Sequence, residues 1–457
     1  MHDELCLWPA HRQVASIRAG EITSRELLER YIARIESIDQ TLNAVVTRDF
    51  ENARRAADEA DAALADGKEV GPLHGLPVTI KDALETKGLR STGGATELSN
   101  YIPKRDAPVV QAVKNAGAYV IGKTNLPRWS GDAQASNKIF GTTNNPWNVE
   151  RGPGGSSGGA AAAVATGLTS FEIGTDIGGS IRFPAAFCGV FGHKPSFGIV
   201  PSTGYLDCAE GGTTEADVNV IGPIARSAED LDLLLSVLLR RDRPWSIDLP
   251  DAEDLGSLKV AAWLDDEAYP VDSEVLDVTT KAVDALDAAG VAVDRSRRPD
   301  IDFKSAVPLA NKLIGAACPS LDTKLTHLEW HAADRERLKV RDAWNALFED
   351  VDIMLMPVCI VPPFPHLDSE ARKGKPLIVN GEARSYWDVA SWTMLVGMAY
   401  LPATVPPIGL SETGLPIGIQ VVGRYGADRT TIRFAERLSE LCGGYQPPPI
   451  ALTAEGK

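Results

Sequence analysis

Short β-branched runs alternating with helical stretches predict an α/β fold for this 457-residue chain. Val78-Thr79-Ile80 and Tyr119-Val120-Ile121 read as strands, and a helical stretch opens between them at Asp106, with Pro108 in its first turn. Residues 258–264, 273–289 and 291–293 repeat the pattern as strand, helix and strand. No internal repeat and no long linker interrupts it, so one large domain is expected.

The remaining elements follow from caps and periodicity. Thr23 and Glu26 make a capping-box pattern ahead of an apolar stripe of Leu27, Leu28, Tyr31, Ile32 and Ile35, which predicts a helix over 23–45. An alanine-rich helix follows over 51–66 and stops at Gly67. Ser227 caps another helix, carrying Leu231, Leu233, Leu234 and Leu235. Residues 300–380 give no clear pattern and hold proline-rich turns between Pro357 and Pro365. Residues 417–422 read as a buried strand, followed by a helix from Asp428.

Composition excludes several classes. Forty-six basic and 62 acidic residues leave a formal net charge of −16. That opposes a broad nucleic-acid footprint and attraction to anionic lipid. No stretch of 18 apolar residues predicts a membrane span, and the N-terminal residues lack a signal-peptide pattern, so a cytoplasmic protein is expected. The six cysteines (Cys6, Cys188, Cys208, Cys318, Cys359 and Cys442) are scattered and read as buried free thiols. No cofactor and no metal is expected.

Three motifs mislead. Gly117 to Thr124 (GAYVIGKT) matches the phosphate-loop pattern, but its middle residues are the strand, and Leu126-Pro127 follows where a helix should be established. His327 and His331 have zinc-site spacing without the metalloprotease order, and read as surface or packing residues. Gly154-Gly155-Ser156-Ser157-Gly158 satisfies the nucleophile-elbow pattern G-x-S-x-G, a rival reading, although 148–153 makes a poor strand to carry it.

That Gly/Ser run, taken alone, could be a flexible linker. It leads directly into Ala160 to Ala165, a helical segment, and so reads as a shaped turn. The second such segment, Gly174-Thr175-Asp176-Ile177-Gly178-Gly179-Ser180-Ile181-Arg182, could be a plain turn. Glycine also stands where backbone must approach something closely, and Ser180 after two glycines suits a nucleophile beside exposed N–H groups.

These blocks resemble the amidase signature family. The likeness takes in 72–82 (PLHGLPVTIKD), 122–125 (GKTN), 140–147 (FGTTNNPW), the Gly/Ser run, GTDIGGSIR, 187–195 (FCGVFGHKP), 222–227 (GPIARS) and 414–420 (GLPIGIQ). It implies a large central, mostly parallel, twisted mixed sheet covered by helices on both faces. It also implies one domain over 1–457, with a helical part (1–70), a catalytic core (71–250), a variable part (251–380) and a return to the core (381–457). By this resemblance Ser180 is the nucleophile, Ser156 the bridging serine after a cis peptide bond, and Lys81 the base. The N–H groups of Ile177, Gly178, Gly179 and Ser180 would form the oxyanion hole, Asp176 and Arg182 would brace the turn, and Ser157 would donate hydrogen bonds inside the site.

The assignment is chemically coherent. A serine hydroxyl needs a base, these motifs hold no catalytic histidine pattern, and a lysine can serve once burial makes it neutral. Lys81 follows the apolar strand Val78–Ile80, which suits a buried amine; the alternative is an ion pair with Asp82 or another acid.

Trp129, Ser130 and Gly131, with Tyr205, match pocket-lining stretches, as does 392–398. Trp129, Tyr205, Trp387 and Trp392 suggest an apolar pocket, with core packing the alternative for each. The expected partner is a small-molecule amide or carbamate, with no nucleic acid and no membrane; the oligomeric state is unknown from sequence. A second class is an amidotransferase A-type subunit that releases ammonia within a complex. Against it, residues 300–380 read as lacking the arginine-rich helix associated with that subunit.

Overall fold

The computed structural model of the chain describes residues 3–241, 249, 255–321, 323–367 and 376–452. Helices α1 (Ala10–Arg18) and α2 (Ser24–Leu42) come first, then strand β1 (Val45–Arg48) and helix α3 (Phe50–Ala65). Thr23 caps α2 as its pattern predicts: its hydroxyl accepts from the Glu26 N–H, and the Glu26 carboxylate accepts from the Thr23 N–H. The five stripe residues are buried.

Strand β2 (Pro77–Lys81), helix α4 (Pro108–Asn115) and strand β3 (Tyr119–Thr124) form the expected crossover, β2 and β3 pairing parallel. β1 lines the other edge of β3, antiparallel, giving a three-stranded sheet. The phosphate-loop decoy is therefore strand β3. Its Lys123 turns inward, donating to Leu84 O, Thr86 Oγ1 and Ser91 Oγ. A short hairpin, β4 (Ser136–Asn137) and β5 (Gly141–Thr142), precedes helix α5 (Gly158–Ala165).

The large sheet opens with β6 (Glu172–Asp176), α6 (Arg182–Cys188), β7 (Phe191–Lys194), β8 (Val220–Ala225) and α7 (Ala228–Leu238). A second crossover follows: β9 (Val260–Ala262), α8 (Ser273–Ala288) and β10 (Val293–Asp294), again parallel. Helices α9 (Phe303–Ala317) and α10 (His327–Leu347) occupy the stretch that gave no pattern, ahead of β11 (Ile353–Pro357). The chain then runs through a hairpin, β12 (Leu377–Val379) and β13 (Glu382–Arg384), and helix α11 (Ser391–Met398). Strands β14 (Ala403–Val405), β15 (Pro407–Leu410) and β16 (Pro416–Gly423) return to the sheet, followed by α12 (Asp428–Leu441) and α13 (Pro449–Leu452).

The large sheet is mixed, in the order β10-β9-β11-β16-β14-β7-β8-β6, with β15 beside β16. The expected parallel majority does not hold. Only β10–β9 and β9–β11 run parallel; β11–β16, β16–β14, β14–β7, β7–β8, β8–β6 and β15–β16 are antiparallel. Parallel neighbours need a crossover connection, and here the C-terminal return inserts β14 and β16 between β11 and β7, each antiparallel to both of its neighbours there. One contiguous apolar core takes in side chains from Leu5 to Leu438. No helix among the described residues is long and apolar enough to cross a membrane.

One further expectation is corrected, and one stretch gains a structure. Helix α10 carries Arg335, Arg337 and Arg341. Arg337 lies buried against Asp217 and Asp334, and Arg337 and Arg341 both stack on Tyr400. Of the cysteines, Cys6, Cys188 and Cys359 are buried, but Cys208 is exposed and Cys318 and Cys442 are partly exposed; all six are free thiols.

Candidate active site

Three distant segments meet where β2 ends. β2 reaches β6 and the loop before it through side chains: the Thr79 N–H donates to Thr169 Oγ1 in the loop, and the Lys81 N–H donates to Glu172 Oε2 of β6 at 3.2 Å. This places Lys81 beside Thr175 of β6. The third segment is the Gly/Ser run before α5. It is a shaped turn rather than a linker, since a Cβ on Gly155 would lie 2.5 Å from the backbone nitrogen of Gln134. The peptide bond between Gly155 and Ser156 is cis. Residues 148–153 form no strand, which removes the structural support an α/β-hydrolase elbow requires.

Lys81 is fully buried, and its ammonium position is lined by hydroxyls. Its Nζ lies 2.7 Å from Ser156 Oγ, 2.9 Å from Ser157 Oγ and 2.7 Å from Thr175 Oγ1. Among the described residues it makes no ion pair; Asp82 instead accepts from the Thr92 hydroxyl and N–H. Burial lowers the Lys81 pKa from 10.5 to about 7, with Asp176 and Glu172 pulling it back upward. A neutral amine has two N–H bonds and one lone pair, so three contacts require one hydroxyl to donate into the nitrogen. The Ser157 hydroxyl can donate to Thr175 O, which leaves either Ser156 or Thr175 as the one donor to the lone pair.

Glu172 sits behind this amine. Its carboxyl is fully buried, accepts from the Lys81 and Ile173 N–H groups and the Thr124 hydroxyl, and burial raises its pKa to about 7.

Ser180 stands on the turn between β6 and α6. The Ser157 N–H donates to Ser180 O at 3.2 Å, which ties this turn to the Ser156 segment. Ser180 is 9% exposed, whereas Ser156 and Ser157 are fully buried. Among the described residues no hydrogen bond joins the Ser180 hydroxyl to Ser156, so the two serines adjoin without the direct link that a relay needs.

Asp176 holds the turn together. Its carboxylate accepts from the Gly179, Ile181 and Arg182 N–H groups and from the Arg182 guanidinium at 2.7 and 3.0 Å. Burial works against its charge, yet Arg182 keeps the Asp176 pKa below the ordinary value. One expected oxyanion donor is thereby committed elsewhere, since the Gly179 N–H points at Asp176 Oδ1 from 2.8 Å. The N–H groups of Ile177, Gly178 and Ser180 have no acceptor among the described residues. Gly179 has φ +129°, and a Cβ there would lie 2.4 Å from the Phe183 ring.

Arg182 and Asp176 are both fully buried as an ion pair. Arg182→Leu is therefore expected to cost about 3–5 kcal/mol, because it strands a carboxylate in the core. A lowered urea midpoint would register that loss; an unchanged one would show the pair contributes nothing.

The pocket aromatics separate. Trp129 packs with Ala95, Leu98 and Leu206, and Trp392 is fully buried edge-on to Trp263 and Phe303. Both are core residues. Trp387 is half exposed against Tyr386, and Tyr205 is partly buried. Trp129 and Ser130 both have left-handed backbone, φ +52° and +55°. Gly131 lines a cleft of about 720 Å³ with Arg128, Asp132 and Gln134.

Apolar atoms do approach the turn, one from the 392–398 stretch read as pocket-lining and one from α9, which the sequence reading left unassigned. A Cβ on Gly178 would sit 3.8 Å from Ile314 Cδ1 on α9 and 3.9 Å from Met394 Cε on α11. Thr175 is the other contributor left without a role; it sits inside the GTDIGGSIR block, one residue before Asp176. His327 and His331 are exposed near the start of α10, with His327 stacked on Trp330. Among the described residues no group of three or more His, Cys, Asp or Glu side chains could hold a metal ion.

Known proteins match this chain along most of its length. The amidase family profile matches residues 26–318 and 312–432. The chain is 33% identical to the indoleacetamide hydrolase of Bradyrhizobium diazoefficiens, over 92% of this chain and 84% of that one. It is 32% identical to the A-type subunit of glutamyl-tRNA(Gln) amidotransferase from a Synechococcus strain, over 89% and 91%. The structure of a bacterial aryl acylamidase of the amidase signature family superposes with a TM-score of 0.85 and 26% identity, covering 98% and 99%. A profile match over most of the chain, relatives above 30% identity and a shared mixed-sheet fold together place this chain in the amidase signature family, as a hydrolase of carbon–nitrogen bonds.

Proposed function

We propose that the chain hydrolyses neutral aryl or alkyl amides, and carbamates by the same chemistry, through an acyl-enzyme on Ser180. The observation that carries the mechanism is the fully buried Lys81 amine, partnered by three hydroxyls and no carboxylate. The Ser180 hydroxyl turns toward Ser156 and attacks the substrate carbonyl. Its proton passes to Ser156 Oγ as the Ser156 proton passes to the Lys81 lone pair. The carbonyl electrons move onto oxygen, which the free N–H groups of Ile177, Gly178 and Ser180 stabilise. Reversal of the relay delivers a proton to the departing nitrogen as the C–N bond breaks. Water then attacks the ester by the same route and releases the acid. Esters fit as a side activity, since their leaving oxygen needs less help.

Ile314 and Met394 beside Gly178 support an apolar substrate over a charged one. The second reading, an amidotransferase A-type subunit, draws on relatives with that name. A panel of anilides, aliphatic amides and aryl carbamates, assayed on the chain alone, separates them. The expected result is anilide turnover without partner chains. Ammonia release from glutamine only after partner subunits are added would overturn the amidase reading in favour of the other.

A further inference from the structure

Helix α11 reaches the oxyanion turn from the far end of the chain. The Thr393 hydroxyl lies 2.6 Å from Gly178 O and 3.0 Å from Ala390 O. The carbonyl of Gly178 and the N–H of Gly179 belong to one planar peptide unit. That unit is held at both ends, by Thr393 at its oxygen and by Asp176 Oδ1 at its N–H, 2.8 Å away. The two anchors are themselves joined. Arg182 pairs with Asp176 through Nη2 at 2.7 Å and donates through Nη1 to Thr393 O at 2.8 Å. A closed hydrogen-bonded circuit thus runs from the turn to α11 and back, with every side chain in it buried.

The circuit determines which way the turn presents its donors. With the Gly178–Gly179 peptide held, the flanking N–H groups of Gly178 and Ser180 are left without protein acceptors. Rotation about either bond flanking that peptide, ψ of Gly178 or φ of Gly179, would tilt its plane and change the angle between those two N–H groups. Glycine on each side makes such rotation cheap, so an external restraint is required. Asp176 restrains one end only.

We infer that Thr393 is a positioning residue that fixes the Gly178–Gly179 peptide, and through it the direction of the oxyanion donors, by donating its hydroxyl proton to Gly178 O. The inference rests on the proposed role of Ser180 and its neighbouring N–H groups. It assigns a rate-setting function to a side chain 213 residues from the nucleophile that need not touch substrate.

The test compares Thr393→Val, which loses the hydroxyl, with Thr393→Ser, which keeps it. The readout is the second-order rate of Ser180 modification by an alkyl fluorophosphonate. In that reaction Ser180 Oγ bonds to phosphorus, fluoride leaves, the serine proton goes to the relay, and the phosphonyl oxygen occupies the oxyanion position. Thr393→Val is expected to react about 10–100-fold more slowly, a fraction of what losing an oxyanion donor outright costs. Thr393→Ser should stay within about threefold of wild type, since it retains the donor. On any anilide the chain accepts, the Val variant should lose kcat and leave KM unchanged. If Thr393→Val does not fold, Thr393→Ala makes the same comparison with a smaller side chain.

Wild-type rates in Thr393→Val, or equal losses in the Val and Ser variants, would overturn the inference and leave the proposed function standing. A folded wild-type chain inert at Ser180 would overturn the proposed function and this inference with it.

Discussion

Ser180→Ala should lose turnover by on the order of 10⁴-fold or more, the scale seen when a nucleophile is removed from a relay whose members act as a unit. It should also lose covalent labelling by a fluorophosphonate, read as the absence of an intact-mass adduct. Of the three serines gathered at the site, Ser180 alone is open to solvent, at 9% exposure, and it adjoins the three free N–H groups. Its hydroxyl makes no hydrogen bond among the described residues, so the alanine variant should melt within about 0.5 kcal/mol of wild type, as substitutions away from buried networks do. Loss of activity with unchanged stability is the distinguishing pair of results. An adduct that persists in Ser180→Ala and maps to Ser156 would move the nucleophile and revive the elbow reading.

Replacing Lys81 with methionine is expected to lower kcat by about 10²–10⁴-fold, the range of general acid–base contributions. Methionine fills similar space and cannot take a proton. Arginine at the same position should do no better, because it stays charged. The wild-type pH profile carries the sign. Below about 7 the buried amine is protonated and cannot accept from Ser156; above it the amine is free. Activity on an amide should therefore rise with pH through an apparent midpoint near 7, more than three units below an ordinary lysine. Glu172 also titrates near 7 and contacts the Lys81 backbone, so the midpoint belongs to the pair. A profile flat from pH 6 to 9, or full activity in Lys81→Met, would remove Lys81 as the base.

Much of the site could be read locally because its parts are consecutive residues. Lys81 follows an apolar strand, and an amine there is carried into the interior wherever that strand packs. The glycines at 155 and 179 mark places where backbone or a ring leaves no room for a Cβ, and both lie inside the motifs. The capping box at Thr23 and Glu26 worked for the same reason: both partners are three residues apart. The same signal, Thr326 and Glu329, could have located α10, and it was masked by an unpatterned helix face.

Pairing and pocket were harder to read. Strand direction across the large sheet depends on where the C-terminal return inserts, and no local periodicity encodes that. Trp129 and Trp392 illustrate the pocket problem, since a tryptophan in a core and one in a binding wall have the same sequence appearance.

What the chain's order of residues determined alone was chemistry and local shape: a strand delivering an amine, two glycine-rich turns each bearing a serine, and caps that begin the helices. Folding decided the rest, because hydrogen bonds at 2.6–2.9 Å depend on where separate elements pack, not on how far apart their residues lie in the chain. It selected Thr175 as the third partner of Lys81, committed the Gly179 N–H to Asp176, and brought Ile314, Thr393 and Met394 to the turn that holds Ser180.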